Sequence, residues 1–394
     1  MAIKFIDDID VRGKRVFVRA DFNVPLDEKQ TITNDNRIKA TIPTLKYVLD
    51  NGGSVIAASH LGRPKGKPVA EMSLKPVAAR LSELLGVSVK FADDCISEAA
   101  IEQGRSLKPG EVLLLENLRF YAQEEKNDAA FAARLGAAAE VFISDAFAVS
   151  HRAHASVEAI TRVVPVCAAG FLMKKEIQAF ESAMSSPKRP LAAIVGGAKV
   201  SGKLEVLEHL IQKVDMILIG GGMMFTFLKA QGKEVGKSLV EEELIDTAGT
   251  ILRKAADKGV QLLLPADCVV AAELKGGIPT TTVSVDAIPA DQMGLDIGPE
   301  TVAEFAKAID AAGTIVWNGP MGVFEIEEYS KGTFAIADAI AQARAMSVVG
   351  GGDSVSALKK SGNQDKVGFV STAGGAFMEM MEGKVLPGIA ALDR

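Results

Sequence analysis

The chain has 394 residues, 48% hydrophobic and 24% charged, with a net charge of −6, so two domains are expected and a nucleic-acid coat is not. Its three cysteines, Cys95, Cys167 and Cys268, are too scattered for a disulfide framework or a zinc site. The N-terminus is too charged for a signal peptide and no apolar run approaches a membrane span, so a cytoplasmic enzyme is expected.

The first half alternates short apolar runs with helical patterns. The runs are KRVFVRADFN (14–23), SVIAASHLGRP (54–64), VLLLENLRF (112–120) and VFISDAF (141–147). Between the first two, Ile42, Leu45, Val48 and Leu49 keep helical spacing until Asn51, Gly52 and Gly53 stop it. After the second, Leu74, Val77, Ala78, Leu81, Leu84 and Leu85 form a helical stripe. This alternation predicts an α/β fold with a doubly wound, Rossmann-like parallel sheet, whose ligands bind beyond the carboxyl ends of the strands.

The tails of these runs carry Arg19, Asp21 and Asn23; His60 and Arg63; Asn117 and Arg119; and, past the fourth run, His151, Arg152 and His154. Arg37 lies in the polar approach to the first helix. Of 15 arginines, 11 fall in residues 1–185, and arginine is suited to bidentate recognition of carboxylate and phosphate, so a small anionic substrate is expected in this half. Taken singly, each arginine also reads as a solvated or ion-paired side chain.

Residues 171–185 are helical in pattern and stop before Pro187 and Pro190, which marks a connecting helix between domains. The expected division is 1–170, a connector at 171–185, a second domain at 186–375 and a terminal segment at 376–394.

In the second half glycine replaces arginine at the strand tails. The runs are LAAIVGGAK (191–199), MILIGGG (216–222), QLLLPAD (261–267), TIVWNGPMGVFE (314–325), MSVVGGGDS (346–354) and VGFVSTAGG (367–375). Glycine admits close backbone approach to a ligand, so this rim suits a nucleotide. The stretch Ile194–Leu210 reads as strand, tight glycine turn and helix, with Lys199 and Lys203 at the helix's positive end. It reads either as a phosphate cradle or as an ordinary turn with two solvated lysines. Gly197, Gly202 and Lys203 have Walker spacing, but Leu204 stands where Mg²⁺ needs a hydroxyl, which excludes a P-loop. Neither GGGDS nor IGGGMM completes the dinucleotide fingerprint. Asp353 is the best-placed carboxylate for Mg²⁺, with helix capping as the alternative.

Taken together, DFNVP (21–25), SHLGRP (59–64), ENLRF (116–120), DAF with HRAHAS (145–156), GGAKVSGK (196–203), GGGM with FTFLKAQG (220–232), WNGPMGVFE (317–325), GGGDS (350–354) and GGAFMEMMEGKVLPG (374–388) resemble the phosphoglycerate kinases, in order and from end to end. The resemblance implies that Asp21, Asn23, Arg37, His60, Arg63, Arg119 and Arg152 bind 3-phosphoglycerate or its acyl phosphate. It implies that Gly197, Lys199, Lys203, Gly221, Gly294, Asn318, Glu325, Gly351, Gly352, Asp353 and Ser354 serve ATP or ADP, with Asp353 towards Mg²⁺. Gly374 and Gly375 would lie near the transferring phosphoryl, and the final residues would return to the first domain.

The chain departs from the family's usual pattern at Ala373, Phe377, Gly202, Ser144 and Ala148, none of which removes a charged contact. The implied reaction needs no general base, because the acceptor carboxylate is already ionised at neutral pH. It needs in-line positioning and positive charge on the phosphoryl oxygens, for which Arg37, Lys199 and the amides of Gly374 and Gly375 are the candidates. Hinge closure and a monomeric state are expected with it. A non-catalytic nucleotide-binding scaffold of the same fold is the alternative, and His60, His151 and His154 lack a fourth ligand for a metal site.

Overall fold

The computed structural model describes residues 3–393, so residues 1, 2 and 394 of the expected domains lie outside it. Its strands are β1 (Arg15–Ala20), β2 (Ser54–Ala58), β3 (Val89–Ala92), β4 (Val112–Leu115), β5 (Val141–Asp145) and β6 (Val166–Ala169) in the first half. The second half has β7 (Leu191–Val195), β8 (Met216–Ile219), β9 (Gln261–Leu263), β10 (Asp267–Ala271), β11 (Thr281–Ser284), β12 (Met293–Ile297), β13 (Thr314–Asn318), β14 (Met346–Val349) and β15 (Phe369–Val370).

Two six-stranded parallel sheets result, ordered β3-β4-β2-β1-β5-β6 and β15-β14-β13-β7-β8-β9. The central strands β2, β5, β7 and β13 are buried along their whole length, because helices cover both faces and no position can stay polar at low cost. Each fully buried branched aliphatic side chain contributes about 1.5–3 kcal/mol. In both sheets the strand order reverses beside a central pair, β1 and β5 or β7 and β13, which opens a crevice at the carboxyl ends.

Among the described residues, five strands lie outside the expected apolar runs. β3 and β6 are sheet edges with half-exposed patterns, so their sequences lack a continuous apolar run. The antiparallel ribbon β11-β10-β12 was not expected either; β11 is mostly exposed, and its TTVS sequence carries little apolar signal.

The chain forms two compact units, one comprising residues up to Ile177 together with Val385 onwards, the other Gln178–Lys384. The segment grouped with the first unit therefore begins at Val385, later than the expected 376, because the helix Gly374–Met381 packs on the helix Leu204–Leu210 of the second unit. Leu386 and Ile389 are buried in the first unit, where the Gly388 amide donates to Ser150 O at 2.8 Å.

The connecting helix, Phe171–Met184, begins where it does because the end of β5 receives it. Asp145 Oδ1 accepts the Leu172 amide at 2.9 Å and the Thr44 hydroxyl accepts that of Phe171 at 2.9 Å, satisfying N–H groups that no turn of the helix could reach. Burial pushes the Asp145 carboxyl up to about 7.

Candidate functional site

The carboxyl ends of β1, β2, β4 and β5 form a polar rim in the first unit. Its backbone is held by side chains from neighbouring tails. The Phe22 amide donates to Ser59 Oγ at 2.8 Å, and Asn23 Oδ1 accepts the Gly62 amide at 2.9 Å. Asn117 Nδ2 donates to Leu61 O (2.7 Å) and Met72 O (2.9 Å), while Arg119 Nη1 donates to Gly62 O at 2.9 Å. The loop bearing Arg63 is thus pinned at its base, and Arg63 itself is exposed. Arg37, in the first turn of the helix Asn36–Asp50, is half-exposed and pairs with Asp21 Oδ2. Arg152 Nε donates to His151 Nε2 at 3.2 Å.

Beneath this rim lies a buried charged network, of which the sequence reading named Arg19 and His60 but not Glu124. Arg19 is wholly buried; its Nε donates to Ser156 Oγ at 2.8 Å and its Nη1 to Ala20 O, and its Nη2 lies 3.2 Å from His60 Nδ1. Ser156 in turn donates its hydroxyl (2.5 Å) and amide (2.9 Å) to the carboxylate of Glu124, also wholly buried. A buried guanidinium requires a buried counter-charge, and Glu124 supplies it from a short helix, Ala122–Glu125, distant in sequence. The signal was present in Arg19 at the end of an apolar strand, but nothing in sequence spacing named Glu124 as its partner.

The network sets the rim's protonation. Burial, and then the Arg19 guanidinium, hold His60 well below the ordinary imidazole value, so it is neutral. Because Nδ1 faces an arginine donor, it is the acceptor, and Nε2 carries the proton. Burial and the same arginines push His154 down to about 3. Glu124 is raised by burial, an effect that Arg19 opposes. Arg119 is lowered by burial and by Arg19, and its Nε lacks a hydrogen bond, with Glu125 Oε1 at 3.5 Å.

In the second unit a cavity of about 270 Å³ opens at the ends of β7, β13, β14 and β15. Gly197, Lys203, Asn318, Gly351, Gly352, Asp353, Ser354, Gly374 and Gly375 all line it. These positions come from four separate strand tails. Asn318 ties the cavity together: its Oδ1 accepts from Lys203 Nζ, and its Nδ2 donates to Gly350 O at 2.8 Å. Ser354 Oγ accepts the Gly319 amide at 2.6 Å. Burial pushes the Lys203 ammonium down to about 8, against the pull of Glu382 and Asp353.

Of the two readings of the loop 196–203, phosphate cradle or ordinary turn, its local geometry is that of a turn whose residues Gly197, Gly202 and Lys203 border the cavity. Its helix starts only at Leu204, with Lys203 as the residue before it, and spans seven residues. The Gly196 and Gly197 amides are already bonded, to Asn318 O (3.0 Å) and Pro320 O (3.1 Å). The amides with no intrahelical acceptor that face this cavity belong to two later helices, Gly352–Lys360 and Gly374–Met381. Gly351, with φ +97°, makes the bend into the first of them.

The remaining expected nucleotide residues do not line the cavity. Lys199 and Glu325 are exposed and are not among its lining residues. Gly221 is buried under the loop, where an added Cβ would meet the Gly197 backbone and Pro320 O, so its φ of +71° serves packing. Gly294 lies on β12 against the Phe225 ring, and its amide donates to Ser238 Oγ at 2.9 Å.

Phe377 is 2% exposed, lies over Gly350 and meets Phe180 of the connecting helix edge-on at 6.3 Å. The ring takes the space that any side chain at 350 would need. Among the described residues no helix is long and apolar enough to cross a membrane.

Comparison with known proteins agrees across the chain. The family model described as phosphoglycerate kinase matches residues 6–384. A phosphoglycerate kinase of Geotalea daltonii is 57% identical, covering 100% of this chain and 99% of that protein. The chloroplastic phosphoglycerate kinase of Volvox carteri is 54% identical over 98% of this chain and 84% of its own length. A solved phosphoglycerate kinase structure from Coxiella burnetii superposes with a TM-score of 0.94 at 44% identity, covering 99% of both chains. With a family match over nearly its whole length and relatives above half identity end to end, the chain belongs to the phosphoglycerate kinase family.

Proposed function

We propose the following division of labour for the family's reaction, the reversible transfer of a phosphoryl group between 1,3-bisphosphoglycerate and ADP to give 3-phosphoglycerate and ATP. The rim of the first unit binds the phosphoglycerate, and the cavity of the second binds the nucleotide phosphates. The observation that carries this reading is the convergence of four glycine-bearing strand tails and two helix starts on one cavity.

Transfer from an acyl phosphate requires little covalent chemistry from the protein. His60, fixed as a neutral Nε2–H donor, and Arg63, Arg119 and Arg152 hold the phosphate remote from the reacting carboxyl. Asp21 and Asn23 orient the glycerate hydroxyl. Arg37, half-exposed and held by Asp21, reaches the reacting carboxyl and the equatorial phosphoryl oxygens, where charge is greatest in the transition state. Lys199 accompanies the phosphoryl, and the first amides of the helix Gly374–Met381 add their dipole.

The donor set also fits Mg²⁺. Asp353 is the carboxylate on the cavity wall, and Mg²⁺ is commonly held by one or two carboxylates plus substrate phosphates. When bound, the ion would neutralise charge on the nucleotide phosphates. Because acceptor and nucleotide residues belong to different units, transfer requires the units to be brought together, and scattering profiles with and without both substrates should differ. A cytoplasmic monomer is the working expectation, which sedimentation checks.

The decisive assay follows acyl-phosphate formation from 3-phosphoglycerate and MgATP. Arg37→Ala should lower kcat far more than it raises the KM for 3-phosphoglycerate. An unchanged kcat removes Arg37 from the transition state.

A further inference from the structure

Met378 lies on the wall of the nucleotide-phosphate cavity, in the helix Gly374–Met381, and its thioether sulfur is 3.0 Å from Lys203 Nζ. It is half-buried, whereas Met173, Met223, Met224, Met321 and Met381 are buried in the cores. Met346, exposed at the start of β14, is accessible but lies outside the cavity lining. Met378 therefore combines access to a small oxidant with contact to a cation of the cavity.

We propose that Met378 is an oxidation site through which hydroperoxides lower the enzyme's affinity for nucleotide. The sulfur attacks the terminal O–H oxygen of the peroxide; an S–O bond forms, the O–O bond breaks, and the proton of the attacked oxygen passes to the leaving oxygen, which departs as water from hydrogen peroxide or as an alcohol from an alkyl hydroperoxide. Sulfur is oxidised by two electrons and the peroxide is reduced by two. A thioether is a weak acceptor, whereas a sulfoxide oxygen is a strong one. Placed beside Lys203, that oxygen engages the ammonium otherwise available to a phosphate and adds bulk to a cavity of about 270 Å³. Reduction of the sulfoxide by a thiol-dependent reductase reverses the change.

This inference rests on reading the cavity as the nucleotide site, and the test separates the two. The enzyme is treated with dilute hydrogen peroxide, then with dithiothreitol to restore cysteines, and sulfoxides are located by peptide mass spectrometry. The KM for MgATP should rise at least about tenfold, the worth of one lost hydrogen bond to a charged group, in step with oxidation of Met378. The KM for 3-phosphoglycerate should not move, and methionine sulfoxide reductases should restore the original value.

MgATP present during treatment should protect Met378 and not Met346. Relative to its own untreated activity, Met378→Leu should lose the response and Met346→Leu should keep it. Met378→Gln, which presents a neutral oxygen at similar reach, should raise the KM for MgATP without any oxidant. Complete oxidation of Met378 with an unchanged KM for MgATP, or an undiminished response in Met378→Leu, overturns the proposal. If Lys203→Ala raises that KM while oxidation does not, only this inference falls. If Lys203→Ala leaves it unchanged, the nucleotide reading falls and takes this inference with it.

Discussion

Glu124→Gln tests whether the buried network beneath the acceptor rim is an obligatory ion pair. The substitution keeps the shape and one carbonyl acceptor, and its new NH₂ group can donate to Ser156 Oγ, so the number of hydrogen bonds scarcely changes. What it removes is the counter-charge of Arg19, which is 0% exposed and has Asp21 as its next anion. Breaking one side of a buried pair costs about 3–5 kcal/mol. Glu124 is itself disfavoured as an anion by burial, and relief of that cost places the expected loss near 3 kcal/mol.

Trp317, the only tryptophan, belongs to the second unit, so its fluorescence would miss the event. Hydrogen exchange of β1 and β5 peptides in urea, read by mass spectrometry, reports the first unit directly. The double variant Arg19→Met/Glu124→Gln should recover about 2 kcal/mol relative to the sum of the singles. Because Arg19 also holds His60 Nδ1, the single variant should raise the KM for 3-phosphoglycerate and leave that for MgATP in place. A loss below about 1 kcal/mol, or additive singles, would refute the pairing argument.

Three further outcomes follow from the same geometry. Gly350→Ala drives a methyl into the Phe377 ring, and should cost about 1–3 kcal/mol in the second unit and raise the KM for MgATP; in a Phe377→Ala background, itself destabilised by the lost ring, the same methyl should cost almost nothing, and a neutral single variant would show that the ring yields. Asp145 has its folded pKa raised from 3.8 to about 7, so its stabilising contribution is complete below 3.8 and lost as pH rises through 7. Asp145→Asn, which cannot ionise, should gain about 2–4 kcal/mol over the parent between pH 4 and pH 8, and a pH-independent difference in urea midpoints would contradict the assignment. His60 should keep the neutral Nε2–H tautomer in ¹⁵N NMR spectra from pH 8 to pH 5, and a midpoint near 6.5 would show that Arg19 does not control it.

Much of the second unit's cavity was readable as sequence, since a strand tail ending in glycine is a local signal and the ends of parallel strands share one rim. Gly351, Gly352, Asp353, Gly374 and Gly375 were found in this way, and the structure brings them to one cavity. The role of the loop 196–203 was not readable, because which amides remain free depends on Asn318 and Pro320, more than a hundred residues away. The same limit explains Gly221 and Gly294, whose glycines answer to packing partners rather than to the cavity.

By itself, then, the order of residues determined the alternation of strands and helices, the two parallel sheets and the rims on which polar and glycine residues collect, because each depends on periodicity and turn chemistry within a short window. Tertiary structure alone decided that Arg19 is neutralised by Glu124, that His60 is a fixed neutral donor, and that Lys203 is shared between Asn318 and Met378. Those states follow from burial and from partners distant along the chain, and desolvation acts on a group only once the fold has surrounded it.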